Sequence, residues 1–456
     1  MVMKFGGTSV EDAAGIQRVA EIVRSKAVER PVVVVSAMAQ VTDQLLLMGR
    51  AAGAGERDTA LQLSRNLRER HYNTAGELLG TGLFTQFHSE LENDFDSLDE
   101  LLRGIAAVGE LTPRTTDTVD SFGERICCKI THAAFSARGL DAALVEARDC
   151  IITDATHTRA LPMFDETNDR LRATVQPLLE KERVPVMAGF IAATRDGETT
   201  TLGRGGSDFS AAIVGAGLGA QRIEIWTDVD GMMTTDPSLC PSARRIKVIS
   251  FDEAAELAYF GAKVLHPATL LPAVQKNIPV YVLNSRNPKN EGTCITTRGP
   301  RCRNTFKAIA AKKRITIVDV VATRMLMAHG FLKSIFEVFD RHRCPVDVVS
   351  TSEVSVSVTV DSNERIPAIA AELAKLADVK YEGRKAIVCL VGENIRGTPG
   401  IAARVFGAIP EINVRMISQG ASEINITFVI SEEDVPEAVR RLHQVFFSEA
   451  DPEVFA

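Results

Sequence analysis

Hydrophobic and polar positions divide the chain into two regimes near residue 300. Before it, short, nearly continuous apolar runs alternate with segments of helical period. PVVVVS at 31–36, VPVMA at 184–188, IEIW at 223–226 and PVYVL at 279–283 are such runs. Runs of this kind predict strands of a largely parallel sheet, covered on both faces. Between them, Ile16, Val19, Ala20 and Val23 recur at i, i+3, i+4 and i+7, the stripe of a helix with one buried face. Ser250 and Glu253 have the spacing of a capping box ahead of Ala254 and Leu257. Pro267 suits the first position of the next helix, which should stop near Asn277, before Pro279. Residues 56–108 are charged and helical in pattern, and read as a solvated insertion with the length to form a lid. The first 300 residues are therefore expected to form an α/β domain, a three-layer αβα sandwich.

After a linker rich in Pro, Arg and Asn at 298–304, the pattern changes. SEVSVSVTV at 352–360 alternates as a half-exposed strand, and SEINITFVI at 422–430 does the same 70 positions later (422 − 352). At the same offset, Phe331, Ile335 and Phe336 correspond to Ile401, Val405 and Phe406. Each unit reads β-α-β-β-α-β, an α+β ferredoxin-like plan, over 313–383 and 384–456. Residues 304–312 can belong to the linker or to the second unit's sheet. A duplicated α+β unit behind an α/β domain suggests regulation, with dimerisation as the simpler alternative.

Composition narrows the classes. At 456 residues, 45% hydrophobic and 24% charged, this is ordinary globular composition. A net charge of −7 argues against non-specific nucleic-acid binding. No apolar run approaches the roughly 18–20 residues of a membrane span. No apolar h-region opens the chain, so no signal peptide is expected. The eight cysteines are scattered without CxxC or zinc spacing. A reducing cytoplasm and no protein-held metal are the expectations.

Several segments carry chemistry. KFGGTSV at 4–10 puts Lys4 before Gly6, Gly7, Thr8 and Ser9, a strand running through glycines toward a helix. Glycines let backbone N–H groups approach a phosphate, and a helix N-terminus favours anions. There is no Walker A sequence. TTTLGRGGSD at 199–208 offers Arg204, whose guanidinium can fork a carboxylate or phosphate, beside Gly205, Ser207 and Asp208. Asp208 can orient a lysine or simply cap a helix. SFGER at 121–125 supplies Glu124 as a partner for an ammonium, unless it pairs with Arg125. WTDVDG at 226–231 leaves a buried strand where open sheets bind ligands, with Thr227 and Asp228 at its end. FGAKVLHP at 260–267 adds Lys263 and Val264. GAGLG at 215–219 mimics a dinucleotide loop but follows a helix, which excludes it.

KFGGTSV, SFGER, TTLGRGGSD, IWTDVDG, TTDP and FGAKVLHPATLLPAV, in this order, resemble the aspartokinases of the amino-acid kinase family, with paired ACT units in the tail. The resemblance implies phosphoryl transfer from MgATP to the β-carboxylate of L-aspartate. It implies Lys4 as the charge-neutralising group and Asp208 as its positioner. It assigns Thr42, Glu124, Arg204, Gly205 and Ser207 to the substrate. It assigns Gly6, Gly7, Thr8, Ser9, Thr227, Asp228, Met233, Asp236, Lys263 and Val264 to the nucleotide, with Mg²⁺ arriving on ATP. Met233 and Ser238 stand where the family often has tyrosine and arginine. The first ACT unit resembles the lysine-sensitive type, which implies an L-lysine site from Met325, Phe331, Leu332, Val346, Asp347, Ser352 and Glu353, with threonine as the other effector. Ordinary surface charge is the simpler account of Asp347 and Glu353. A homodimer or larger assembly through the ACT units is implied. The alternatives are another amino-acid kinase, such as glutamate 5-kinase, and a catalytically silent amino-acid sensor.

Overall fold

The structure, a computed structural model, describes residues 1–261, 267–300, 302–322 and 329–456. The chain forms two compact units. One comprises Met1–Met232 with Val264–Arg298, the other Met233–Lys263 with Gly299–Ala456. The excursion Met233–Lys263 packs with the second of these units.

The first unit begins with strand β1 (Val2–Phe5), helix α1 (Ala13–Ser25), β2 (Val32–Val35) and α2 (Val41–Gly53). It continues through α3 (Arg57–Val108), α4 (Pro113–Ala137), β3 (Ala142–Val145), α5 (Ala147–Cys150) and α6 (Phe164–Glu180). Then come β4 (Val184–Ala188), β5 (Ile191–Ala193), β6 (Thr199–Thr201), α7 (Gly206–Leu218) and β7 (Ile223–Thr227). The excursion carries β8 (Val248–Ser250) and α8 (Phe251–Tyr259), after which α9 (Leu271–Gln275), β9 (Val280–Asn284) and β10 (Thr293–Thr296) complete the unit. The helix expected to start at Pro267 is a 3₁₀ turn, Pro267–Leu270, followed by α9.

Strands of this unit lie in the order β3-β4-β2-β1-β7-β9-β10. All neighbours are parallel except β10 on β9. Every residue of β1, β2 and β4 is buried; β2 and β4 are apolar throughout, whereas β1 buries one charge, Lys4. β1 pairs with β2 on one side and β7 on the other, so the chain builds outward from β1 through β2 and β4 and later crosses back to the other edge of β1. Loops diverge at the C-terminal ends of such strands and leave a crevice there.

The insertion is a hairpin rather than one solvated rod. Gly80, at φ 65°, ψ 172°, breaks α3 into two arms. Leu67, Ala75, Leu91, Phe95 and Leu98 are buried along it, and Ser64 bonds Asp99 across the arms at 2.6 Å. His71 is buried there too, and desolvation lowers its pKa to about 4, which makes it a neutral core residue.

The second unit is built on one antiparallel sheet, ordered β12-β13-β11-β14-β16-β15. Its strands are β11 (Ala308–Val321), β12 (Val349–Thr351), β13 (Ser355–Asp361), β14 (Asp378–Val391), β15 (Met416–Gln419) and β16 (Asn425–Ser431). Its further helices are α10 (Phe331–Arg341), α11 (Ile366–Leu373), α12 (Ile401–Gly407) and α13 (Val435–Phe447). β13 and β16 begin 70 positions apart (425 − 355), so the repeat seen in the sequence is structural. Residues 352–354 lie outside the strand, because Ser352 turns back onto Ser355 through a 2.8 Å backbone bond. β11 and β14 run through both repeats. Ile315–Val321 pair with 378–385, and Ala308–Lys312 pair with 387–391. The register slips between them, near Arg314 and Arg384, both at positive φ.

Candidate active site

Lys4 stands on the buried strand β1, and its ammonium is not carried to the surface. Nζ lies 2.6 Å from Asp208 Oδ1, close enough for an ion pair but not aligned as a hydrogen bond. Asp208 sits in the first turn of α7, whose N-cap is Gly205 in the left-handed region at φ 72°. No side chain caps this helix, so Asp208 does not act as its cap. Ser207 Oγ meets Ser36 Oγ at 2.7 Å and ties the start of α7 to the end of β2.

The glycine turn after Lys4 is arranged differently from the sequence expectation. The Gly6 N–H donates to the Trp226 carbonyl at 2.9 Å. Ser9 Oγ bonds Ser285 Oγ at 2.8 Å. These bonds hold the end of β1 against its neighbours. Helix α1 starts only at Ala13, and its N-terminus is capped by Asp12, which accepts from the Gly15 N–H at 2.7 Å. The open helix end is that of α7. Gly7 is needed for close approach: a Cβ there would lie 2.9 Å from the Ala37 carbonyl. Thr8 is half-buried beside it.

A cavity of about 500 Å³ opens here, lined by Gly7, Thr42, Glu124, Arg204, Gly205 and Ser207 among others. All five residues expected to bind substrate are therefore together. Arg204 is exposed and Glu124 is 4% exposed. Arg125 turns away, over the Phe122 ring and toward Asp94, so it does not neutralise Glu124. Burial, outweighing a bond from the Ala37 backbone, raises the Glu124 pKa to about 8. Its Oε2 has no hydrogen-bond partner.

Sequence reasoning missed the rest of this acidic wall. Asp117 and Asp120 are also buried on α4, two turns and one turn before Glu124. Asp117 is fully buried and satisfied. It accepts from His157 Nδ1 at 2.8 Å, from the Thr158 N–H at 3.0 Å and from Thr201 Oγ1 at 2.5 Å. Asp120 lines the cavity. The signal was available as the i, i+3, i+7 spacing of 117, 120 and 124.

Other expected residues lie elsewhere. Thr227 and Asp228 are at the C-terminal end of β7, where Thr227 Oγ1 donates to Asp228 Oδ1 at 3.1 Å. Met233 and Asp236 belong to the second unit, and Asp236 accepts the Ser238 N–H at 2.8 Å in a local turn. Lys263, Val264, His266 and Met325 lie outside the described residues. Among the described residues, no group of three His, Cys, Asp or Glu side chains is placed to hold a metal ion. No helix among them is long and apolar enough to cross a membrane.

In the second unit, Val346 and Phe331 pack against the core of the first repeat, and Leu332 is 41% exposed at the start of α10. Asp347 is not free surface charge. Its carboxylate accepts from Lys312 Nζ at 2.9 Å and from the Tyr259 hydroxyl at 3.0 Å. Lys312 also reaches Asp361 at 2.9 Å. Burial opposes its charge, but bonds to both carboxylates win and raise its pKa. Ser352 and Glu353 are exposed nearby in sequence.

Residues 1–284 match the amino acid kinase family and residues 388–446 match the ACT domain. Aspartokinase 2, chloroplastic, of Arabidopsis thaliana is 39% identical, over 99% of this chain and 85% of that protein. Lysine-sensitive aspartokinase 3 of Escherichia coli is 36% identical, over 98% and 99%. Solved structures of E. coli aspartokinase III superpose at 35% identity over 98% of this chain and 99% of theirs. The TM-score is 0.84 for the complex with aspartate and ADP (R-state) and 0.86 for that with lysine and aspartate (T-state). With a buried Lys4–Asp208 pair beside an acid-walled cavity and matches across nearly its whole length, the chain belongs to the aspartokinases of the amino acid kinase family.

Proposed function

We propose that the cavity beside Lys4 binds L-aspartate and that this chain transfers the γ-phosphoryl group of ATP to its β-carboxylate. The observation that carries this reading is a cavity lined by the buried carboxylate of Glu124, one oxygen of it unpartnered, and by Arg204 and Ser207, with the buried Lys4–Asp208 pair acting on Glu124 from beside it. Glu124 takes the α-ammonium, the Arg204 fork takes the α-carboxylate, and Thr42, Gly205 and Ser207 position the substrate. The β-carboxylate is a nucleophile at neutral pH, so no general base is required. Lys4, held by Asp208, neutralises charge that develops on the transferring group. ATP lies toward the C-terminal ends of β1 and β7, near Gly7, Thr8, Thr227 and Asp228. Mg²⁺ arrives on the nucleotide phosphates and keeps most of its water.

The test is kinetic. Arg204→Lys should raise the KM for aspartate far more than it lowers kcat, because a point charge cannot replace a bidentate fork. Glutamate should be a poor substrate, because its extra methylene misplaces the attacking oxygen when both α-groups are held. Equal kcat/KM for glutamate and aspartate would remove the substrate assignment.

The first repeat is the proposed L-lysine site, with Phe331, Leu332, Val346, Asp347, Ser352 and Glu353 around it and a second copy completing it through the exposed edge strands of the sheet. A free lysine must compete with Lys312 for Asp347. Asp347→Asn should therefore weaken lysine inhibition roughly 10–150-fold, the worth of a charge-assisted hydrogen bond. Uninhibited kcat should hardly change. A lysine titration of both proteins checks this, and identical curves would exclude Asp347 from the site.

A further inference from the structure

The acidic wall of the cavity carries more negative charge than one ammonium–carboxylate contact explains. Three carboxylates project from consecutive turns of α4. Asp117 spends its oxygens on His157, Thr158 and Thr201. Asp120 and Glu124 do not. Both are about 5% exposed, both line the cavity, and each keeps an oxygen without any hydrogen-bond partner: Oδ1 of Asp120 and Oε2 of Glu124. Two buried acceptors left unpaired one helical turn apart are costly unless a donor is brought to them. An ammonium group has three N–H donors, and one carboxylate contact leaves others open.

We propose that Asp120 is a second acceptor for the α-ammonium of the amino-acid substrate, and that with Glu124 it selects substrates bearing a free amino group. This rests on the reading of the cavity as the aspartate site.

The charged groups around Asp120 agree with an acceptor awaiting a cation. On its own helix, Asp117 and Glu124 are within electrostatic reach, and from α2 Arg50 acts on it. Asp43 and Arg204 line the same cavity, and Lys4 acts on the neighbouring Glu124. Burial, then repulsion from Asp117, raises the Asp120 pKa to about 7 against a smaller opposing effect of Arg50. A carboxyl whose pKa is raised on folding favours the fold when protonated. Its ionisation removes stability as pH climbs from the ordinary carboxylate range through about 7. In the free protein Asp120 is thus a burden at pH 8, and a bound ammonium converts it into an asset.

The experiment uses the full chain, with L-aspartate and with succinate, the same dicarboxylate without the amino group, as a competitive inhibitor. Asp120→Asn should raise the KM for aspartate about 10–100-fold. It should leave kcat within about threefold, and leave the KM for ATP and the Ki of succinate unchanged or lower. Asp120→Ala and Asp120→Asn should both melt at or above the wild-type temperature at pH 8 without substrate, since each removes a buried, unpaired acid. An unchanged aspartate KM, a succinate Ki that rises in parallel, or a lower melting temperature or failure to fold in both variants would each make Asp120 a structural residue and overturn the inference. Glu124→Gln, run alongside, separates the two readings. If it leaves aspartate turnover untouched, the site assignment itself fails. If it impairs aspartate use while Asp120→Asn does not, only the second acceptor fails.

Discussion

Lys4→Ala should lower kcat roughly 10²–10⁴-fold, with a smaller change in the KM for aspartate. Phosphoryl transfer asks little covalent chemistry of the protein, so fixed positive charge near the moving group carries much of the acceleration. Lys4 is fitted for this because it stands on a fully buried strand and its ammonium is held by Asp208 at 2.6 Å. That burial complicates the measurement. Removing Lys4 strands Asp208, which is itself only 9% exposed, so the melting temperature should fall as well. Lys4→Met combined with Asp208→Asn separates the effects. The double variant should recover stability, because neither charge remains buried alone, and should stay as inactive as the single one. If kcat returned with stability, Lys4 would be a scaffold residue.

Lys307→Met should destabilise the second unit by about 3–5 kcal/mol. Lys307 and Glu253 form an ion pair at 2.8 Å with side chains only 2% and 3% exposed. The same Glu253 oxygen also takes the Ser250 N–H and hydroxyl, both at 2.9 Å, as the reciprocal half of the α8 capping box. Its other oxygen has no partner. Without Lys307 a buried carboxylate keeps only its cap. Urea unfolding followed by a probe in the second unit should show an earlier midpoint. Adding Glu253→Gln, which keeps an acceptor for the cap but no charge, should restore much of the loss. A midpoint shift equivalent to less than about 1 kcal/mol would mean that water reaches this pair.

How far the sequence reached depended on how local each determinant is. β2, β4, β7 and β9 were readable because residues buried on both faces leave runs whose interior is apolar apart from Glu224. The capping box at Ser250 was readable because both its halves lie within four residues. The site was readable where glycines, an arginine and an acid crowd into ten positions, as they do at 199–208. Membership of the excursion Met233–Lys263 was not. It is decided by partners far along the chain, such as Thr234 with His443 at 2.9 Å and Glu253 with Lys307. The same holds for Asp347, whose lysine and tyrosine partners are 35 and 88 residues away. At the glycine turn the sequence does not say which N–H groups are already taken. Its composition permits N–H groups to face a ligand, but neighbouring strand ends offered the Trp226 carbonyl first. The open helix terminus is that of α7, which has Gly205 where a capping side chain would stand.

The two strands that thread both repeats make those repeats inseparable. β11 and β14 each span 14 residues and are half of one repeat's sheet and half of the other's. A cut at the apparent border between 383 and 384 would fall inside β14 and leave two fragments with raw edges, which invite pairing between chains. The duplication is therefore a single mechanical body. A change of twist at one end of β11 is carried by its backbone into the other repeat, across the register slip that separates the two pairings.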